Sequence, residues 1–137
     1  FSDIRNPKAV SQFLWDGESI GGIPYHTVLP MVDGQGRFNN ILIGLPEAIE
    51  PDCREPFKPP QVIDASDPEN PRVVGFLPRP KVPEEAPYAD FCLSRGRFGT
   101  HNTNSFIQPG QANPNLVAAT WFNAGVRLYD ISNPARP

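Results

Sequence analysis

Residues 62–77 read V-I-D-A-S-D-P-E-N-P-R-V-V-G-F-L, two runs rich in β-branched residues separated by Asp, Pro and Asn. Runs of this kind bounded by turn residues are typical of short β-strands. An Asp side chain can hydrogen-bond the backbone of a turn, and Pro fixes φ, so one strand ends there and another begins. The stretch therefore predicts two strands joined by a tight turn.

The turn phrase of this stretch occurs three times in the chain. Each copy has an Asp, two spacers, an Asn or Asp and then Pro, and the copies lie 61 and 66 positions apart. Self-similarity at a roughly fixed period indicates a repeat protein. The predicted repeat-turn residues are Asp3, Asn6, Pro7, Asp64, Asp67, Pro68, Asp130, Asn133 and Pro134.

The same order of segments precedes the second and third turns. A segment with a histidine (His26, then His101) is followed by an apolar run and by a run that ends at the turn. Four antiparallel strands per repeat form a propeller blade, so we expect an all-β fold made of about two β-propeller blades. Strands are predicted at 9–15, 25–29, 40–45, 61–64, 72–77, 103–108, 116–122 and 126–131.

The predicted organisation has three parts. Residues 1–20 end a preceding blade, residues 21–80 form a complete blade with a Pro-rich insertion at 47–60, and residues 81–137 supply a linker and three strands of the next blade. A propeller needs at least about four blades. We therefore expect the ring to be completed by the remainder of a longer polypeptide or by neighbouring copies, which would pair with the open strand edge.

Composition is consistent with this architecture and excludes some partners. The 18 prolines and 11 glycines argue against long helices. A net charge of −3 argues against nucleic acid or an anionic membrane as the main partner. No apolar run approaches the roughly 20 residues of a membrane span.

Two stretches carry a family resemblance. The run 62–77 and the final V-R-L-Y-D-I-S-N-P-A-R-P resemble the LVIVD-repeat β-propellers, and F-N-A-G-V-R-L-Y-D-I-S-N-P is similar to a bacterial subgroup of them. The resemblance covers 62–77 and 101–137 well, whereas 2–13 is degenerate. It implies a propeller fold and an extracytoplasmic location, periplasmic or secreted, and it implies no particular activity.

The two cysteines fall on one face of the expected blades. Cys53 lies in the insertion between second and third strands and Cys92 in the linker between blades, and both connections emerge on the same side. A disulfide of an exported protein and two unrelated thiols of a cytosolic protein are both open. The bridge would close a loop of about 40 residues and stabilise the fold by roughly 3–4 kcal/mol.

His26 and His101 are the two histidines of the chain and begin the first, channel-lining strands of neighbouring blades. Imidazoles that converge in this way can hold a transition metal such as Zn, Cu or Fe. The alternative is that each histidine, with the following Thr27 or Asn102, caps the start of a strand, because two histidines alone make no metal site. Charged residues on or near this face are expected to be solvated: Asp16, Glu18, Asp52, Asp90, Arg95 and Arg97.

Three further features have structural explanations. Asp64 and Asp130 are expected in turns on the face opposite the histidines rather than as a catalytic carboxylate pair. The apolar strand end 120–122 is expected in the core rather than as a ligand platform. Arg127 alternates with Val126 and Leu128, which predicts that it faces solvent.

Two functions are compatible with these features. The first is an exported binding or scaffold module whose loop face contacts a protein, a glycan or a small ligand. The alternative is a metal-dependent enzyme with His26 and His101 at the mouth of the propeller channel and its other ligands on further blades. The metal content of the native protein distinguishes the two.

Overall fold

The computed structural model describes residues 3–12, 25–104 and 113–137. Within these ranges the chain forms six strands and three 3-10 turns, and no helix there has the length and apolarity to cross a membrane. The strands are β1 (Tyr25–Val32), β2 (Phe38–Pro46), β3 (Gln61–Asp64), β4 (Arg72–Phe76), β5 (Leu116–Thr120) and β6 (Val126–Asp130). The 3-10 turns are Pro51–Cys53, Phe91–Ser94 and Phe122–Ala124.

The first four strands form one antiparallel sheet in the order β1-β2-β3-β4, which confirms the all-β prediction. Ile43 of β2 lies opposite Val62 of β3, and Val62 in turn lies opposite Gly75 of β4. β5 and β6 form a second antiparallel sheet. Thr103 bridges to Ala119 of β5, so the segment after His101 runs beside β5 as β1 runs beside β2.

The predicted strand bounds differ from the observed ones mainly at the first repeat. β1 continues beyond residue 29 to Val32, because its pairing with β2 extends to the turn at residues 33–37. Residues 9–12 are not a strand, and the Ser11 hydroxyl donates to the carbonyl of Pro68 at 2.6 Å. The remainder of the predicted strands 9–15 and 103–108, together with Asp16 and Glu18, falls outside the described residues.

The repeated phrase forms the same local structure in its second and third copies. The first carboxylate of each copy accepts from the backbone two residues on: Ser66 N to Asp64 Oδ1 at 2.9 Å, and Ser132 N to Asp130 Oδ1 at 2.8 Å. Asp67 and Asn133 then make a second turn of the same kind. Asp3 makes the first turn in its copy, with Arg5 N to Oδ1 at 3.0 Å.

The hydrophobic core lies between the two sheets. The residues that fill it include Ile43, Leu45, Val62, Leu77, Phe91, Phe98, Val117, Ala119, Trp121 and Tyr129. On β6 the prediction for Arg127 was wrong. Arg127 is partly buried, whereas Val126 and Leu128 are 60% and 66% exposed. Alternate residues of a strand face opposite sides, so Arg127 shares the side of the buried Tyr129 and the other side of β6 is open.

The third turn packs on the last strand of the first sheet. A Cβ added at Gly75 of β4 would overlap the carbonyl oxygen of Pro134. The backbone of the third repeat turn therefore lies directly on β4, and only glycine leaves the space for it. This contact joins the end of the second repeat to the first sheet.

Candidate metal centre

The insertion and the linker are tied together at one end of the sheets. Cys53 and Cys92 form a disulfide with Cα atoms 5.4 Å apart, the pairing considered from the sequence. Beside it, Asp52 N donates to the Gly96 carbonyl at 2.8 Å, and Gly96 N donates to Asp52 Oδ1 at 2.9 Å. The insertion 47–60 and the linker 81–99 are therefore joined at this end of the sheets by this disulfide and these two hydrogen bonds.

The two histidines meet at the same end of the molecule. His26 is the second residue of β1, and His101 lies just before the bridge of Thr103 to β5. Their ring centroids are 3.8 Å apart, with the ring planes inclined by 31°. The structure thus brings together the two residues that the sequence proposed as ligands, from equivalent positions of successive repeats.

Thr27 orients the first imidazole. Its hydroxyl lies 2.9 Å from His26 Nδ1, 3.2 Å from the carbonyl of His101 and 2.9 Å from Asn102 Oδ1. When the hydroxyl donates to either of these oxygens, its own oxygen can accept a hydrogen bond from Nδ1–H of His26. The lone pair of the ring is then on Nε2, the state in which histidine binds a metal. A ligand role for His26 is therefore compatible with the strand-capping role proposed for Thr27 and Asn102.

Glu47 is the third candidate ligand, and the sequence reasoning missed it. His101 Nε2 lies 3.6 Å from Glu47 Oε1. One ligand atom from each of His26, Glu47 and His101 falls within 4.8 Å of the others. Glu47 directly follows β2, and the antiparallel register places Pro46 opposite Tyr25 at the start of β1. That register was the signal that could have identified Glu47.

Arg97 holds the carboxylate of Glu47. Its Nη1 donates to Glu47 Oε1 at 2.8 Å and to the carbonyl of Ala48 at 3.2 Å. Within the described ranges, Glu47 Oε2 has no hydrogen-bond donor, so this oxygen is available to a metal ion. A partner that fixes one oxygen of a carboxylate ligand is a common second layer around metal sites.

Phe122 supports both Arg97 and His101. The Arg97 guanidinium carbon lies 3.9 Å from the centre of the Phe122 ring, and the His101 ring lies 5.1 Å from it. Phe122 has φ 34°, a left-handed conformation that costs a residue with a side chain about 1–3 kcal/mol. The strand end 120–122 was predicted to lie in the core, and its Trp121 is fully buried there. Phe122 instead forms the platform that the sequence argued against, because the 3-10 turn directs its ring toward the site.

The three ligands suit a divalent metal ion of intermediate softness, such as zinc. Two imidazoles and one carboxylate are the protein ligands of many catalytic zinc sites, and on one side of an ion they also suit Fe(II). Ligand atoms around tetrahedral zinc lie roughly 3.4 Å apart. The His101 and Glu47 atoms are already 3.6 Å apart, and the widest separation among the three residues is at most 4.8 Å. His26 is the exposed member of the three, whereas Glu47 and His101 are partly buried. Three protein ligands leave coordination positions open to water or substrate.

The other charged candidates have separate structural roles. Asp52 caps the backbone of Gly96, and Asp90 accepts from Cys92 N at 2.8 Å. Asp64 lies opposite Arg72 at the far end of the first sheet, away from the end where His26 begins β1. Asp130 likewise lies opposite Leu116, whereas His101 N bonds the Thr120 carbonyl at the other end of β5.

A comparison of the chain with protein families, with characterised proteins and with solved structures finds no match.

Proposed function

We propose that this chain binds a divalent transition metal through His26, Glu47 and His101, at the loop end of an extracytoplasmic β-propeller segment. The observation that carries the proposal is the convergence of both histidines and one carboxylate from three separate segments of the chain. Side chains from separate segments are held together by the fold rather than by sequence proximity. The proposal includes an enzyme, because open coordination positions would let the ion activate water or a bound substrate.

The surroundings of the three side chains support a metal site. Thr27 contacts His26 at Nδ1 rather than at Nε2, and Arg97 occupies only one oxygen of Glu47. Glu47 and His101 are largely shielded from solvent, with 20% and 33% of their side chains exposed. Partial burial strengthens the attraction between a carboxylate and a cation, because water screens it less.

The propeller and the location belong to the same proposal. A four-stranded antiparallel sheet, a second, two-stranded antiparallel sheet and Asx turns at equivalent places support an LVIVD-type repeat. The disulfide supports an oxidising compartment, since such bonds are rare in the cytosol. The rest of the ring would be supplied by further repeats or by other copies.

A binding or scaffold module for a protein, a glycan or a small ligand is the second candidate. A cleft of about 220 Å³ lies beside the disulfide. Arg79 lines it, with its guanidinium carbon 4.7 Å from the Phe98 ring centre and 5.3 Å from that of Phe57. Aromatic and cationic groups in a cleft are suited to a small ligand or an extended segment of another protein.

Metal analysis and Co²⁺ titration of the native chain test the metal proposal. We expect one equivalent of transition metal per chain and a visible Co²⁺ spectrum of low coordination number. His101→Ala and Glu47→Gln should each weaken Co²⁺ binding by about 100-fold or more, since a direct ligand matters at least as much as its supports. Glu50→Gln, a carboxylate in the same insertion but outside the site, should bind Co²⁺ like the wild type.

The outcomes separate the two candidates. Metal-free native protein that also fails to bind Co²⁺ at micromolar concentration contradicts the metal proposal and leaves the binding module. Equal loss of Co²⁺ in Glu47→Gln and Glu50→Gln would show that the ion is attracted by general negative charge rather than by the site.

A further inference from the structure

We propose that Arg97 forms an anion-binding position beside the metal, so that the site takes a small carboxylate ligand shared between the ion and the guanidinium. The inference rests on the proposed metal site and adds the chemical class of its ligand. Its basis is the position of Arg97 on the Phe122 ring, directly next to the candidate ligands.

The Arg97 guanidinium would be separated from the proposed ion only by the Glu47 carboxylate. Arg97 Nη1 and His101 Nε2 approach the same oxygen, Glu47 Oε1, at 2.8 and 3.6 Å. An ion held by His101 and Glu47 is therefore a neighbour of the guanidinium. A carboxylate has two oxygens with about four lone-pair sites, so both oxygens can accept from the guanidinium while one of them also lies on the ion.

The Arg97 guanidinium has N–H groups that are not used by the protein residues described. Among the described residues, the guanidinium of Arg97 makes hydrogen bonds only through Nη1, to Glu47 and to the carbonyl of Ala48. Its Nε–H and Nη2–H groups are therefore available, and 37% of the side chain is exposed to solvent. Two parallel N–H donors match the two oxygens of a carboxylate, which is the recognition that arginine provides and lysine does not.

The orientation of Arg97 is set before any ligand arrives. The Phe122 ring lies against one face of the guanidinium, and the Ala48 carbonyl holds one edge. Phe122 maintains this position in a left-handed conformation that residues with side chains seldom adopt. Strained residues of this kind concentrate at ligand sites, where surrounding structure holds them.

The charge balance favours an anion. A divalent ion and the Glu47 carboxylate leave one positive charge, and Arg97 adds a second, because histidine ligands are neutral when they bind a metal. Lys58, a cation of the same insertion, is already paired with Glu55 at 2.7 Å. A monoanionic ligand would reduce the excess charge without displacing a protein side chain.

Binding of pyruvate to the full chain saturated with Co²⁺ tests the inference, with calorimetry for affinity and visible absorption for the ion. We expect pyruvate to bind and to change the Co²⁺ spectrum, and its neutral amide to bind at least about tenfold more weakly, the cost of losing a charge-assisted pair of hydrogen bonds. Arg97→Gln should weaken pyruvate binding by a similar factor. Arg95→Gln, an exposed arginine two residues away, should leave it unchanged.

Each outcome has a definite meaning. A wild-type chain that does not bind Co²⁺ overturns the metal site, and this inference with it. A chain that binds Co²⁺ but binds pyruvate equally well before and after the Arg97→Gln substitution overturns the inference alone. If Arg97→Gln releases Co²⁺ by freeing Glu47, Arg97→Lys decides the question. That variant retains the charge, and it should still bind pyruvate several-fold more weakly because it lacks the paired donors.

Discussion

Single carboxylates define the repeat turns, and their ionisation is linked to folding. Hydrogen bonds from Ser66 and from Arg72 lower the pKa of Asp64 to about 2. The pKa of Asp130 is lowered in the same way by Ser132. A carboxylate whose pKa is lower in the folded state favours folding above its unfolded pKa of about 4. That contribution is lost as the pH falls from about 4 through 2.

This linkage gives a prediction for the acid side of the stability curve. The free energy of unfolding should decrease between about pH 4 and pH 2, as measured by urea denaturation across that interval. Asp64→Asn retains an acceptor oxygen for Ser66 N but removes the titration. The variant should therefore lose less stability over the interval than the wild type. Parallel curves for the two proteins would contradict this assignment.

Elements of the two repeats are joined through close backbone packing. The third repeat turn lies on β4, where Gly75 leaves room for the Pro134 carbonyl. The contact joins residues far apart in the chain, so it contributes to the packing of one repeat on the other rather than to the turn itself.

Adding one methyl group at this contact should weaken the fold. Gly75→Ala would force β4 and the turn apart, and overpacking of this kind costs about 1–3 kcal/mol. Gly34→Ala is the matched control, because a Cβ there meets no atom within 4 Å. Its effect should stay within about 0.5 kcal/mol. Thermal or urea unfolding of both variants gives the comparison, and equal stabilities would be inconsistent with the close approach at Gly75.

The strands could be predicted from local pattern more fully than the site could. β3 has the predicted bounds, because Pro60 directly precedes it and the Asx-Pro turn directly follows it. The histidines were identified by residue type. Glu47 and the Phe122 platform were not, because the first depends on the β1–β2 register and the second on a left-handed turn. Neither the strand register nor the left-handed conformation can be recognised from the residues that neighbour Glu47 or Phe122 in the sequence.

At the scale of the whole molecule, the two sheets bury corresponding positions unequally. Val62, two residues before Asp64, is fully buried, whereas Leu128, two residues before Asp130, is 66% exposed. Val62 belongs to the core cluster that also contains Val117 and Tyr129 of the second sheet, whereas Leu128 does not belong to it. Leu116 and Val126 extend the same exposed apolar side.

We expect this exposed side to make the isolated chain associate. Light scattering coupled to size exclusion should give a mass above 15.1 kDa that rises with concentration. Leu128→Lys should shift the chain toward the monomer, because a charge on the contact side is costly to bury. Leu93→Lys, at an equally exposed leucine in the linker, should not. A wild-type chain that is monomeric at all concentrations would contradict the expectation.

The Cys53–Cys92 bond also determines how the chain would respond to mechanical tension. The two cysteines are 39 positions apart, and β3 and β4 lie between them. A pulling force applied across the chain passes through the sulfur atoms and leaves that segment unloaded. About 130 Å of contour length is thus withheld from extension. Stretching could strip β2 from β3, but only heat, denaturant or reduction would open the β3–β4 hairpin itself.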